Sequence, residues 1–260
     1  MFGLIRVEQK TASCFPTPGI NRRLRAATFD YWETLIEERE QGDASLEKII
    51  ASLVHRWGAA WSLPAEDRFM TAFHKHLTAS RQQMAEQLQE APLDEFFAHL
   101  FAELEVPHAL ERVEQAVAYV SGLLHEATVV LPGAVEFLSF LKTRGIKLGL
   151  ISNTQMPARF RNPTIKKQGL LSYFDVIVLS SEVSWRKPRA EIFLEALRQL
   201  QVEPEECLHF GDNIRADVEG AKQVGILAVQ VLAGRHAPPP EGELILRDWR
   251  TALAFFQRLM

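Results

Sequence analysis

The chain predicts an α/β fold, a doubly wound parallel sheet with a Rossmann-like core and an inserted four-helix domain. Three observations carry this. A short apolar run at 25–30 ends in a carboxylate, Asp30. From about Ala44 to Glu126 apolar residues recur only at helical spacing. From Val129 onward β-type runs alternate with helical ones, the pattern of a parallel sheet covered on both faces. Strand signals flank the helical block, so it is an insertion. The expected division is a loose extension at 1–21, a core from 22–43 and 127–260, and a helical domain at 44–126.

Composition sets the bounds. A length of 260 residues suits one or two domains, and 47% hydrophobic with 24% charged residues fits a globular chain with a sizeable core. The net charge of −4 offers no basic surface for nucleic acid. No 18-residue apolar stretch occurs, so no membrane span is expected. Met1 to Asn21 lacks the continuous apolar region of a signal peptide and contains Pro16, Pro18 and Gly19. Cys14 and Cys207 stand far apart and form no framework, which points to a reduced, cytoplasmic setting.

The elements follow in order. The strand at 25–30 comes first. Leu46, Ile49, Ile50, Leu53, Val54 and Trp57 form one helical stripe. Phe69, Phe73 and Leu77 form a second, and the run from Leu93 through Phe97 and Phe101 to Leu104 a third. Leu110, Val113, Val117, Val120 and Leu124 form the fourth. Pro64, Pro92 and Pro107 punctuate them, and four such helices imply a small bundle. Pro132-Gly133 starts a helix that Gly145 closes. Strands are expected at 146–152, 175–180, 207–210 and 226–232, with helices at 191–200 and 217–224. Pro238 to Pro240 make a stiff loop, 244–246 a last edge strand, and 249–259 the closing helix.

Ligands of such sheets bind beyond the carboxyl ends of the strands, where strand order reverses. Asp30, Ser152 and Asp212 each follow an apolar run directly, and Lys187 follows the run at 175–180 by a short loop. A carboxylate can attack phosphorus, a hydroxyl can hold a phosphoryl oxygen, and a lysine can neutralise charge in the transition state. Paired carboxylates beside a phosphate suit Mg²⁺. Asp217 has a second reading as the N-cap of the helix after it. His74 and His76, two apart on a helix, do not share a face and read as solvated. Trp185 and Arg186 either touch a ligand or pack on the helical block.

The residues Leu131-Pro132-Gly133, Leu150-Ile151-Ser152-Asn153, Arg186-Lys187-Pro188 and His209-Phe210-Gly211-Asp212 to Asp217, in this order after Asp30, resemble the haloacid dehalogenase superfamily. The resemblance runs from about residue 25 to the C-terminus and includes a helical cap. It implies Asp30 as nucleophile, Ser152 as holder of the transferring group and Lys187 as the link between nucleophile and phosphate. It also implies a Mg²⁺ site built from Asp30, the Trp32 carbonyl, Asp212 and Asp217. Asn153 and the Trp32 side chain are expected to contact substrate, a small phosphorylated metabolite.

Trp32 departs from the pattern. Phosphatases of the superfamily usually carry an Asp there, which protonates the leaving alcohol. Its 2-haloacid dehalogenases carry an aromatic residue, but work without Mg²⁺ and lack the Gly-Asp-x4-Asp pattern present at 211–217. Its phosphonatases use a cap lysine, and only Lys48 and Lys75 are on offer here. Glu33 replaces the Gly usual before Thr34 and is a candidate substitute acid. The expectation is a Mg²⁺-dependent phosphatase, with a 2-haloacid dehalogenase-type hydrolase and a catalytically weak phospho-ligand-binding protein as alternatives.

Overall fold

Ala26–Phe29 is buried along its whole length, and this strand, β1, lies at the centre of the sheet in the computed structural model. The structure describes residues 24–38, 46–234 and 244–260, so the extension at 1–21, Cys14 and the loop at Pro238–Pro240 lie outside the described residues. In chain order the remaining strands are β2 (Ile36–Glu38), β3 (Thr128–Val130), β4 (Lys147–Ser152), β5 (Val176–Leu179), β6 (Cys207–Gly211), β7 (Leu227–Val231) and β8 (Ile245–Leu246). Six of them form one parallel sheet in the order β5-β4-β1-β6-β7-β8. The chain builds outward from β1 on one side through β4 and β5, then returns to its other side through β6. The reversal puts the carboxyl ends of β4, β1 and β6 side by side, at residues 152, 30 and 212.

The helices are α1 (Leu46–Trp57), α2 (Glu66–Gln87), α3 (Leu93–Glu103), α4 (Ala109–Glu126), α5 (Ala134–Thr143), α6 (Ala158–Lys167), α7 (Ser180–Val183), α8 (Ala190–Leu200), α9 (Gly220–Gln223) and α10 (Trp249–Leu259). The first four follow the predicted stripes and enclose their own apolar cluster, including Ile50, Phe73, Phe97, Phe101 and Val117. Trp57 and Trp61 stack beside it with ring centroids 4.7 Å apart. Leu110 departs from its stripe: it is 83% exposed, while its neighbour Ala109 packs against the cluster. The block is carried on a two-stranded antiparallel ribbon, β2 with β3, in which Ile36 faces Val130. No described helix is long and apolar enough to cross a membrane.

Two local features differ from expectation. α6 was not predicted: it holds Pro163, and only Thr164 and Ile165 are buried. A proline after the first turn and a polar sequence hide the helical period. The second reading of Asp217, as an N-cap, does not hold. Ile214–Glu219 forms a π-helical turn whose cap is Asn213, accepting the Ala216 N–H at 2.8 Å. Asp217 lies inside that turn with its side chain buried, because an ion pair and not a helix end claims its carboxylate.

Candidate active site

Asp30 directly follows β1, and its N–H donates to the Phe210 carbonyl of β6 at 2.8 Å. The sheet therefore fixes the backbone that carries this carboxylate. Ser152 closes β4 and is 4% exposed. Lys187 comes from a different layer of the chain, yet is 3% exposed and points to the same spot. Its Nζ lies 2.5 Å from Asp30 Oδ1 and 2.6 Å from Asp217 Oδ1, and donates to the Ile151 carbonyl at 2.9 Å. All three ammonium donors have acceptors.

Asn153 holds this lysine from behind. Its Nδ2 donates to the Lys187 carbonyl at 3.0 Å, and its Oδ1 accepts the Lys187 N–H at 2.8 Å. Asp217 is held as firmly, accepting the Asn213 N–H at 3.0 Å, with His209 Nε2 3.3 Å from its other oxygen. His209 Nδ1 in turn lies 2.9 Å from Thr28 Oγ1. A Cβ at Gly211 would overlap the Asp217 carboxyl, so only glycine lets β6 pass this close to the acid.

Carboxylate oxygens of Asp30, Asp212 and Asp217 all lie within 4.8 Å of one another. Their charges are unequal in kind. Burial raises the Asp30 carboxyl, and with Asp217 nearby it stands at about 6 despite Lys187. Burial, then Asp30 and Asp217, push Asp212 up to about 7. Burial also works against the Asp217 charge, but Lys187 and His209 outweigh it and hold this carboxyl at about 2. Burial keeps the His209 imidazole below its ordinary range, so it adds no charge at neutral pH. Among the described residues three carboxylates thus share one cation, and full ionisation leaves two negative charges unbalanced. Protons or a divalent cation must supply the difference, and the donors are hard oxygens of the kind Mg²⁺ selects.

The other predicted residues fall around this cluster. Trp32 is half-buried and packs against the edge of the sheet's apolar core. Glu33 is buried at φ +56, the left-handed region that suits the usual glycine, and its carboxylate lies against Gly234 beyond β7, outside the acidic cluster. Trp185 and Arg186 meet the helical block: Trp185 bridges Gln89, and Arg186 Nη1 pairs with Glu90 at 2.5 Å. His74 and His76 have separate partners, Glu47 at 3.4 Å and Glu103 at 2.9 Å. Reading the sequence missed the Thr28–His209–Asp217 chain and Glu90. The available signal for the first was a histidine inside the apolar run 207–210, and for Glu90 there was none.

A family model for haloacid dehalogenase-like hydrolases matches residues 24–225. A glyceraldehyde 3-phosphate phosphatase of Methanopyrus kandleri is 30% identical over 105 residues, 40% of this chain and 44% of that protein. A phosphoglycolate phosphatase of Pseudomonas putida is 32% identical over 133 residues, 50% of this chain and 48% of that protein. The chain spans about half the length of these curated relatives. The crystal structure of a 2-haloacid dehalogenase from Pseudomonas syringae has a TM-score of 0.66 at 19% identity, covering 91% of this chain and 100% of that one. At that identity the likeness is one of fold.

Proposed function

Because the chain belongs to the haloacid dehalogenase-like hydrolase family, we propose that it is a phosphatase of small phosphorylated metabolites whose nucleophile is Asp30. The observation that carries this reading is the charge deficit: three clustered carboxylates served by one lysine. Displacement of a halide from carbon needs no such deficit, whereas phosphoryl transfer beside a divalent cation does. Two relatives named as phosphatases point the same way.

In this reading Asp30, Asp212, Asp217 and the Trp32 carbonyl would hold Mg²⁺, which offsets the negative charge of the phosphoryl oxygens. An oxygen of Asp30 attacks phosphorus, the bond from phosphorus to the leaving oxygen breaks, and that oxygen departs with the electron pair. Ser152 and Lys187 hold the phosphoryl group, with Lys187 offsetting charge that spreads over its oxygens. Asn153 keeps Lys187 in place through its main chain. Water then attacks the phosphorus of the aspartyl-phosphate, and Asp30 leaves as the carboxylate. Residues 44–126 act as a cap over this centre.

The indole N–H of Trp32 is too weak an acid to protonate the departing oxygen. General acid help is worth about 10²–10⁴-fold, and acyl or aryl phosphates need it least. Activity should therefore favour these over sugar phosphates, and Trp32→Asp should raise turnover of alkyl phosphates. Equal rates of the wild type on both classes would count against this role for Trp32. The first test is hydrolysis of acetyl phosphate and para-nitrophenyl phosphate with and without Mg²⁺, with Asp30→Asn as control. Turnover that needs both Mg²⁺ and Asp30 supports the reading. A folded protein that hydrolyses neither, but releases chloride from 2-chloropropionate without metal, replaces it.

A further inference from the structure

Beside the acidic cluster lies a cavity of about 400 Å³, lined by Asn153 and Lys187 on the sheet side, by Arg81 and Met84 of α2 above, and by Arg186 and Arg215. Its volume falls in the range of small-ligand pockets. Among the described residues no aspartate or glutamate lines it. Of its four cations, two are already neutralised. Lys187 lies between Asp30 and Asp217, and Arg186 is paired with the buried Glu90. Arg81 and Arg215 have no ion-pair partner among the described residues. They come from opposite walls, one from the helical block and one from the π-helical turn that carries Asp217.

Two uncompensated guanidinium groups facing one small space make a local positive field that a phosphate at Asp30 does not need. Ser152 and Lys187 already serve that end of the ligand. Guanidinium binds carboxylate and phosphate oxygens through paired N–H donors, and in a partly closed site such contacts are strong. We propose that the substrate carries a second anionic group, a carboxylate or a phosphate, at the end remote from the scissile phosphate, and that Arg81 and Arg215 bind it. This rests on the phosphatase reading for the first group only. With Trp32 in place, the substrate class is an acyl- or aryl-type phosphate with an anionic tail.

The test is binding, so that it does not depend on turnover. The full chain is titrated calorimetrically, with Mg²⁺ present, against propylphosphonate, 3-phosphonopropionate and propane-1,3-bisphosphonate. The first has no second charge, the second a carboxylate and the third a second phosphonate. Either doubly anionic ligand should bind at least about tenfold more tightly than propylphosphonate, and the ligand that does so identifies the tail. In Arg81→Gln/Arg215→Gln, whose substitutions lie on exposed positions, that ratio should fall towards one. Arg215→Glu should invert it. Equal affinity for all three ligands overturns the inference and leaves the phosphatase reading standing. An unchanged ratio in the double variant overturns the assignment to these arginines. If none of the three binds, the phosphate site itself is absent and both readings fall.

Discussion

The helical block and the sheet edge bury polar groups by opposite rules. Within the described residues 46–126, only Glu90 and Ser121 are buried polar side chains, and both reach out of the bundle. Glu90 bonds Ser180 and Arg186, and Ser121 donates to the Phe160 carbonyl at 3.3 Å. The bundle interior is otherwise apolar. At the carboxyl edge of the sheet, by contrast, Asp30, Ser152, Lys187, His209 and Asp217 are all buried. Buried charge is costly unless paired, so its concentration in one place singles this edge out as the candidate site. In the bundle, polarity marks only the seam with the core.

The sharpest break in this contrast is Asp30→Asn. Turnover should fall by about 10⁴-fold or more, while the protein becomes more stable. The folded Asp30 carboxyl stands at about 6 against an ordinary 3.8, so below the lower value it is protonated in both states and costs nothing, and the cost of its charge grows as pH rises from the lower value to the upper one and is complete above it. At pH 8 without metal the asparagine variant should gain on the order of 3 kcal/mol, and at pH 3 nothing. Urea unfolding at the two pH values checks this. A variant less stable at pH 8 would mean the Lys187 pair outweighs burial.

Lys187→Met tests the other partner. It leaves Asp30 and Asp217 buried without a cation, and should cost about 3–5 kcal/mol at pH 8. With no lysine, both carboxyls move up, so stability returns on acidification as they take protons. Activity should fall by about 10³-fold. Phe97→Ala is the bundle's counterpart. It should also cost about 3–5 kcal/mol, but with no dependence on pH between 5 and 8, since no titratable group is exposed by it. A pH-dependent loss would show that the two regions are not energetically separate. The smallest effect concerns metal. Asp212 at about 7 and Asp30 at about 6 must both lose protons before coordinating. Mg²⁺ affinity should therefore fall as pH drops below about 7, by about tenfold per unit at first. Calorimetry across pH 5.5–8 measures it, and a flat profile would place the metal elsewhere.

The contrast also explains what the sequence shows of itself. Apolar periodicity is a local signal, so the strands of the sheet and all four helices of the block were legible from spacing alone. Asp30, Ser152 and Asp212 were legible because each sits at a strand end or directly beyond one, and Lys187 because it stands in the run Arg186-Lys187-Pro188, with α7 between it and β5. α6 was not, since Pro163 and its polar face erase the period that would announce it. The β2–β3 ribbon was not, since three-residue strands carry too little pattern. Glu90 and Arg186 are charged residues of common type, and their partnership exists only in three dimensions. Asp217 looked like a helix cap because its type suits one, and the lysine that claims it lies thirty residues away in sequence. Polar pairing across the chain leaves no periodic trace.

The central position of β1 has a consequence in time. It is the first strand of the sheet to be synthesised, yet its two edges are satisfied by β4 and β6, which begin at Lys147 and Cys207. Until those segments emerge, an apolar ribbon with two open edges has nothing of its own sheet to pair with, and the carboxylate at its end is separated from its lysine by 157 residues of chain. Non-local pairing of this kind folds slowly and leaves unpaired edges exposed to other chains. The helical block, whose contacts are mostly local, can close first. A nascent chain halted before residue 207 would carry a finished bundle on an open sheet, and its hazard to the cell would be aggregation through the strand that ends at Asp30.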